Sequence, residues 1–422
     1  MVNNTSNVSN NNQLPDDWDE IKLEKVFPVL EAGVSVNSDE TAHSFCYVLK
    51  TSAIHNGKFD STQKKPVINR DCCRVKCPVV VGSIIISRMN TPQLVGECGY
   101  VDSPVTNCYL PDRLWQARNI TPAQYDFKWL SYVLSYGPYR NAIREASTGT
   151  SNSMKNISKE NLLCIAIPKP EITEQRQIAK ALSDIDELIF NLEKFIKKKK
   201  AMREGAVQEL IVHKKALPGF DNTEMKYRIG NIGDFYNGLS GKTKKDFGRG
   251  TARYITFLNV LINAVIDTDI LESVDVASDE NQNSVRVGDL FFNTSSETPE
   301  EVGMCAVLLT DVSNCYLNSF CFGFRIKEKD VDPLFFSYYF NSAEGRKIMA
   351  ILAQGATRYN LSKTNFADTN VILPEYKKQK EIARIISDMD SEIASLQSKL
   401  EKYRKIKSGM MDELLTGKVR LV

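Results

Sequence analysis

Four stretches of this 422-residue chain have residue types and spacings that could do chemistry. Gly238-Leu-Ser-Gly241-Lys242-Thr243 resembles the end of a phosphate-binding loop. The full pattern needs a further glycine at position 236, where Tyr236 stands, and no strong strand leads into it. Lys242, Lys244, Lys245 and Arg249 instead read as a basic loop before a strand, able to hold DNA phosphates without reading sequence. A pair of small polar loops, Ser147-Thr-Gly-Thr-Ser-Asn152 and Gln354-Gly-Ala-Thr-Arg-Tyr-Asn360, is rich in groups that contact phosphates or base edges. An ordinary polar turn would have the same composition. Cys72, Cys73 and Cys77 cluster, but no second paired motif follows, and the histidines are only His43, His55 and His213. Ten cysteines in 422 residues are too dilute for a disulfide scaffold, so reduced thiols and no metal are expected.

The chemistry that is missing narrows the field. A DNA-base methyltransferase would carry an Asn/Asp-Pro-Pro-aromatic tetrapeptide and a glycine-rich cofactor loop, and neither occurs. No Gly-x-Ser-x-Gly elbow or His-Glu-x-x-His is present. A recognition protein is therefore expected, with a single-chain methyltransferase or nuclease and a bare coiled-coil scaffold as the competing classes. Hydrophobic residues make up 42% and charged residues 25%, ample for a core and unlike disorder or collagen. The formal net charge of +2 excludes a uniformly basic coat but not local basic loops. The Asn- and Ser-rich start lacks the basic and apolar regions of a signal peptide. No apolar stretch approaches the roughly 20 residues of a membrane helix, so a cytoplasmic location is expected.

The elements that must position these residues come in two copies. Gln175-Arg-Gln-Ile-Ala-Lys-Ala-Leu-Ser-Asp-Ile-Asp186 matches Gln379-Lys-Glu-Ile-Ala-Arg-Ile-Ile-Ser-Asp-Met-Asp390. Ile157-Ser-Lys-Glu-Asn-Leu162 matches Leu361-Ser-Lys-Thr-Asn-Phe366, and Asn107-Cys-Tyr-Leu110 matches Asn314-Cys-Tyr-Leu317. Val81-Gly-Ser-Ile-Ile-Ile86 answers Val287-Gly-Asp-Leu-Phe-Phe292 in the same order. The chain is a tandem duplication.

Each copy ends in a heptad helix. Its seam is Ile178, Leu182, Ile185, Ile189, Leu192 and Ile196 in the first copy. In the second it is Ile382, Ile386, Met389, Ile393, Leu396 and Leu400. Lys199 and Arg203 interrupt the first and Lys407 the second. A stripe sustained over about five heptads requires a partner helix, and the matched seams predict that the two helices pair with each other. A pseudo-twofold across the coil would make them antiparallel. Lys197–Lys200 reads either as a solvated face or as a phosphate or partner contact. The remaining segments read as α+β. Expected strands are Pro78–Ile86, Leu162–Ile167, Arg253–Leu261, Asp289–Asn293, Phe320–Ile326 and Thr369–Leu373. Aromatic helices are expected at Phe127–Leu134 and Leu334–Phe340.

This order of variable domain, heptad helix, variable domain, heptad helix resembles the specificity subunit of type I restriction–modification enzymes. The helix openings Pro170-Glu-Ile-Thr-Glu-Gln-Arg-Gln-Ile-Ala179 and Pro374-Glu-Tyr-Lys-Lys-Gln-Lys-Glu-Ile-Ala383, the turns at Gly82 and Gly288, and the tail Glu413-Leu-Leu-Thr-Gly-Lys-Val-Arg-Leu421 carry it. The resemblance implies target-recognition domains at 1–169 and 217–374 and coiled-coil helices at 170–216 and 375–422. Each domain would read half of a split, asymmetric DNA site, and the helix pair would set the gap. It implies no cofactor here, S-adenosylmethionine in two methyltransferase subunits that modify adenine, and ATP and Mg in a motor-nuclease subunit. With the loops above, it makes Lys58, Lys64, Lys65, Arg88, Asn90, Thr148, Ser151, Asn152 and Lys155 candidate DNA contacts in the first copy. In the second they are Lys242, Lys244, Lys245, Arg249, Asn293, Ser295, Arg358, Tyr359, Asn360 and Lys363.

Overall fold

A computed structural model describes residues 14–41, 43–149, 153–212 and 215–421. Contacts divide it into two units, one running up to Glu193 and resuming at Lys399, the other spanning Lys194–Ser398. Each unit holds one mixed domain and parts of both long helices, which are Ile172–Val207 and Tyr376–Leu414. The first long helix ends in a π-helical turn at Gln208–Val212.

The duplication is visible in the sheets. In the first unit a four-stranded antiparallel sheet orders its strands Leu30–Ala32, Leu114–Ala117, Ile84–Ser87, Cys98–Tyr100. In the second the order is Gly233–Asn237, Cys321–Ile326, Asp289–Asn293, Cys305–Val307. A three-stranded sheet with one parallel pair accompanies each: Tyr47–Leu49 beside Cys108–Tyr109, and Phe247–Ile255 beside Cys315–Leu317. Asn107 and Asn314 enter the parallel strands with φ of 51° and 50°, a left-handed conformation that asparagine tolerates.

The aromatic helices are Phe127–Ser135 and Pro333–Asn341, each capped by an aspartate, Asp126 or Asp332, accepting from the backbone N–H three residues on. They pack onto the long helices. In the first unit Trp129, Leu130 and Val133 share a core with Ile178 and Leu182 and with Leu414 and Leu415 near the end of the second long helix. In the second unit Phe335, Phe336 and Phe340 share one with Ile382 and Ile386. Buried Phe366 sits at its centre, with ring centroids of Phe292 and Phe340 at 5.1 and 5.3 Å.

A buried glutamine joins each domain to its helix. Gln175 Oε1 accepts from Asp126 N at 2.8 Å, while its amide donates to the carbonyls of Pro170 at 2.9 Å and Gln124 at 3.2 Å. Gln379 repeats this with Asp332 N at 2.9 Å, Pro374 O at 2.8 Å and Asp330 O at 3.0 Å.

The pairing of the helices is antiparallel within each unit. In the first, Lys407 meets Asp186 at 2.9 Å and Arg404 meets Glu193 at 2.6 Å. In the second, Lys199 meets Glu392 at 2.7 Å and Arg203 meets Asp390 at 2.9 Å. Rising numbers on one helix pair with falling numbers on the other. Of the seam, Ile178, Leu182, Ile185, Ile189, Ile196, Ile382, Ile386, Ile393 and Leu400 are buried, while Leu192, Met389 and Leu396 are half-buried. The tail beyond the second helix closes on the first unit. Arg420 forks Asp17 at 2.6 Å and reaches Glu174 at 2.7 and 2.8 Å. Burial alone would raise the Glu174 carboxyl, but bonds from Arg420, Trp18 and the Leu421 N–H outweigh it and hold it below its ordinary range.

Several expected strands differ. The Arg253–Leu261 run splits: the strand is Phe247–Ile255, and Phe257–Ile262 is a helix whose Thr256 cap accepts from Asn259 N. Leu162–Ile167 also splits, into a helix Lys159–Leu163 capped by Ser158 and a strand Ala166–Lys169. Pro78–Ile86 shrinks to Ile84–Ser87. Among the described residues no helix is long and apolar enough to cross a membrane.

Candidate nucleic-acid interface

The strand Ile84–Ser87 and its counterpart Asp289–Asn293 are fully buried, and each runs on into a short ribbon. In the first unit Met89–Asn90 pairs with Lys155–Asn156, and Thr148 bridges to Asn156 through bonds of 2.8 and 2.9 Å. In the second, Ser295–Ser296 and Ala353–Gln354 flank Tyr359–Leu361. Thr148 and Gly149 of the first polar loop, and the second polar loop from Gln354 to Asn360, lie at the ends of these ribbons. Both tips turn on a glycine with φ of 142°, Gly149 and Gly355. A Cβ on Gly355 would also stand 2.1 Å from the Arg358 carbonyl oxygen, so only glycine fits.

The ribbons gather many of the candidate contacts. In the first unit Arg88 lies over the Trp115 ring at 5.7 Å and donates to Asn156 at 3.4 Å, leaving its charge half-exposed. Asn90 donates to Ser87 Oγ at 3.2 Å, Lys155 to Gly149 O at 2.7 Å, and Thr148 is exposed. Ser151 and Asn152 lie outside the described residues. In the second unit Arg358 and Asn360 are exposed and Tyr359 is half-buried. Lys363, whose ammonium pKa burial lowers, donates to Asn237 Oδ1 beside the 238–249 loop.

Other candidates are held elsewhere. Asn293 is fully buried, donating to Ser295 O and Glu301 O and accepting from Met304 N, so its amide is spent on the turn. Ser295 is 5% exposed. Lys242 is tied to Glu280, and that bond, with those from Ala277 N and Gln282, pulls the Glu280 carboxyl down to about 2. Lys58 points to Asp186 on the first long helix at 3.7 Å. Lys64 covers the Tyr47 ring at 4.6 Å, and Lys65 is half-buried on the same strand. Lys244, Lys245 and Arg249 remain exposed, Arg249 with Asp246 and Asp275 at 3.7 and 3.9 Å.

Gly238 owes its identity to packing rather than to phosphate. A Cβ there would stand 2.1 Å from the Asn318 carbonyl oxygen. The cysteine cluster diverges, with Cys77 aimed at Glu31, Cys72 at Ile68 O and Cys73 at Arg70 O. Among the described residues no group of three or more His, Cys, Asp or Glu is placed to hold a metal.

Sequence reasoning treated Arg203 and Lys407 as gaps in the seam. Each is instead the cation of a three-residue clamp. Lys407 bonds Asp186, which also accepts from Tyr132 Oη at 3.0 Å, and Lys407 Nζ lies 5.5 Å over that tyrosine ring. Arg203 forks Asp390 at 2.9 and 3.1 Å, Tyr338 Oη donates to Asp390 at 3.1 Å, and the guanidinium lies 5.6 Å over its ring. The repeated Ser-Asp-x-Asp was the available signal.

Each of the two mixed domains thus carries a polar ribbon and packs on the long helices. The family model described as "Type I restriction modification DNA specificity domain" matches residues 15–201 and 223–403, and the chain belongs to that family. Its role is recognition of DNA sequence, and it is a non-catalytic subunit. It is similar to the type I restriction enzyme MjaVIII specificity subunit of Methanocaldococcus jannaschii, 23% identical over 442 residues, 97% of this chain and 94% of the relative. It is also similar to the EcoKI specificity subunit of Escherichia coli K12, 22% identical over 397 residues, 89% and 83% of the two chains. The crystal structure of a type I S subunit from M. genitalium shares the fold, with a TM-score of 0.58 at 17% identity, covering 95% of this chain and 97% of that one.

Proposed function

We propose that each mixed domain reads one half of a bipartite DNA site through its ribbon, and that the antiparallel helices set the gap between the halves. The duplicated ribbon with divergent tips carries this reading. The ribbons share an asparagine, Asn156 and Asn360, but Thr148, Met154 and Lys155 stand where the second copy has Gln354, Arg358 and Tyr359, so the two halves read should differ. Arginine pairs with guanine and asparagine with adenine in the major groove. The helices dock two methyltransferase subunits, which bring S-adenosylmethionine and modify adenine. A motor-nuclease subunit using ATP and Mg completes the complex. The cytoplasm is the expected place of action.

The test uses the purified chain alone and with its methyltransferase partner. Alone it should neither methylate nor cut DNA. With the partner it should bind an asymmetric split site, with affinity falling steeply as salt rises. Methylation by the isolated chain would overturn the reading.

The exposed loop cations give a second test. Changing Lys244, Lys245 and Arg249 to Ala should weaken binding to all sequences and flatten log K against log salt by about 0.9 for each phosphate no longer neutralised. Lys242→Ala should leave that slope unchanged, because its charge is already spent on Glu280.

A further inference from the structure

We infer that the two clamps, Asp186–Lys407–Tyr132 and Asp390–Arg203–Tyr338, are positioning residues that fix the register of the helix pair and so restrict the complex to one half-site gap. The inference rests on the proposal that the helices set that gap.

The seam alone cannot choose a register. Its residues are almost all Ile and Leu, repeated every heptad, so a slip of seven residues sets like against like. Such a slip translates one helix along the other by about 10 Å, the rise of about 3 base pairs. The clamps break this degeneracy. Each places a cation from one long helix at a seam position, opposite an aspartate of the other. After a slip the charged groups would face apolar seam positions and lose their partners. A polar group at a single seam position is the device that specifies register in coiled coils, at a cost in stability.

The third member ties register to the reader. Tyr132 and Tyr338 belong to the aromatic helices of the mixed domains and are 8% and 3% exposed. Their hydroxyls donate to the same aspartates that the cations hold. In the first unit Lys58, from the mixed domain, adds a contact to Asp186 at 3.7 Å. A shift of one helix past the other therefore breaks a bond to the domain as well as a bond across the coil. The arrangement occurs twice with different cations, so it depends on charge and position rather than on one side chain. Arg203 grips both carboxylate oxygens, whereas Lys407 is a point charge.

The test measures methylation by the complete complex on substrates carrying both half-sites at a series of gaps. The main variant replaces both ion pairs with apolar residues: Asp186→Leu, Lys407→Met, Asp390→Leu and Arg203→Met. Arg203→Lys is the conservative control, Tyr132→Phe with Tyr338→Phe is the milder variant, and a chain lacking one matched heptad from both helices tests the ruler itself. Circular dichroism establishes which variants fold. The apolar variant should accept gaps about 3 base pairs from the native one at rates within about tenfold of the native gap. Arg203→Lys should keep the native preference, and the heptad deletion should move it. If the apolar variant does not fold, the double Tyr→Phe chain carries the test and should relax the preference in the same direction. A shifted preference in the deletion with an unrelaxed one in the folded clamp variant overturns the clamps and leaves the ruler standing. An unmoved preference in the deletion overturns both.

Discussion

A Gln379→Leu variant should lose about 2–4 kcal/mol of stability, read as a lowered denaturation midpoint, although leucine is close in volume and well suited to a buried helix. The loss comes from what the amide leaves behind. Gln379 is fully buried and closes three backbone groups: the N–H of Asp332 and the carbonyls of Asp330 and Pro374. Each such group left without a partner costs about 1–3 kcal/mol, and part of that is recovered where water reaches it. The position is also a joint. Asp332 caps the aromatic helix, Pro374 ends the strand before the long helix, and Gln379 holds both to the helix itself. Gln175→Leu should do the same in the first unit, where Asp126, Gln124 and Pro170 take the equivalent places. A midpoint within experimental error of the wild type for both variants would show that the joints are not what hold domain to helix.

The second large effect is on recognition. Arg358→Ala with Asn360→Ala should reduce specific binding about a hundredfold, because each base contact of this kind contributes about 1–3 kcal/mol. Both side chains are exposed at the tip, and their removal leaves the ladder of Ser295, Asn360 and Gln354 backbones intact. The effect should be confined to one half of the site. Substitutions in the other half should penalise wild type and variant equally, and non-specific binding should change far less than specific binding. A uniform loss across all sequences would make these residues phosphate contacts instead.

The contrast between those side chains and their neighbours marks what a sequence can and cannot convey. The heptad seam was legible because apolar spacing at three and four residues has one physical meaning when sustained. The aromatic helices carry no such stripe, being buried nearly all round, and Asp126 and Asp332 cap them. The six-residue run Phe257–Ile262 was not legible, because a short apolar segment suits a strand as well as a helix, and only the Thr256 cap separates them. The two Ser-Lys segments concealed helix caps at Ser158 and Ser362, each a Ser followed three residues on by Asn. Burial was the least legible property. Asn293 and Lys242 have the composition of DNA contacts, yet one closes a turn and the other holds Glu280, a partner 38 residues away. The same limitation made Arg203 and Lys407 look like defects in a seam, when each meets its aspartate only after the chain has folded back on itself.

The most direct measurement is a map of methylated adenines in the genome of cells carrying this chain with its methyltransferase partner, set against cells lacking it. The account predicts one motif that depends on the chain, made of two different half-sites separated by a fixed number of unread base pairs. A single continuous motif, two identical halves, or a methylation pattern unchanged when the chain is removed would contradict it.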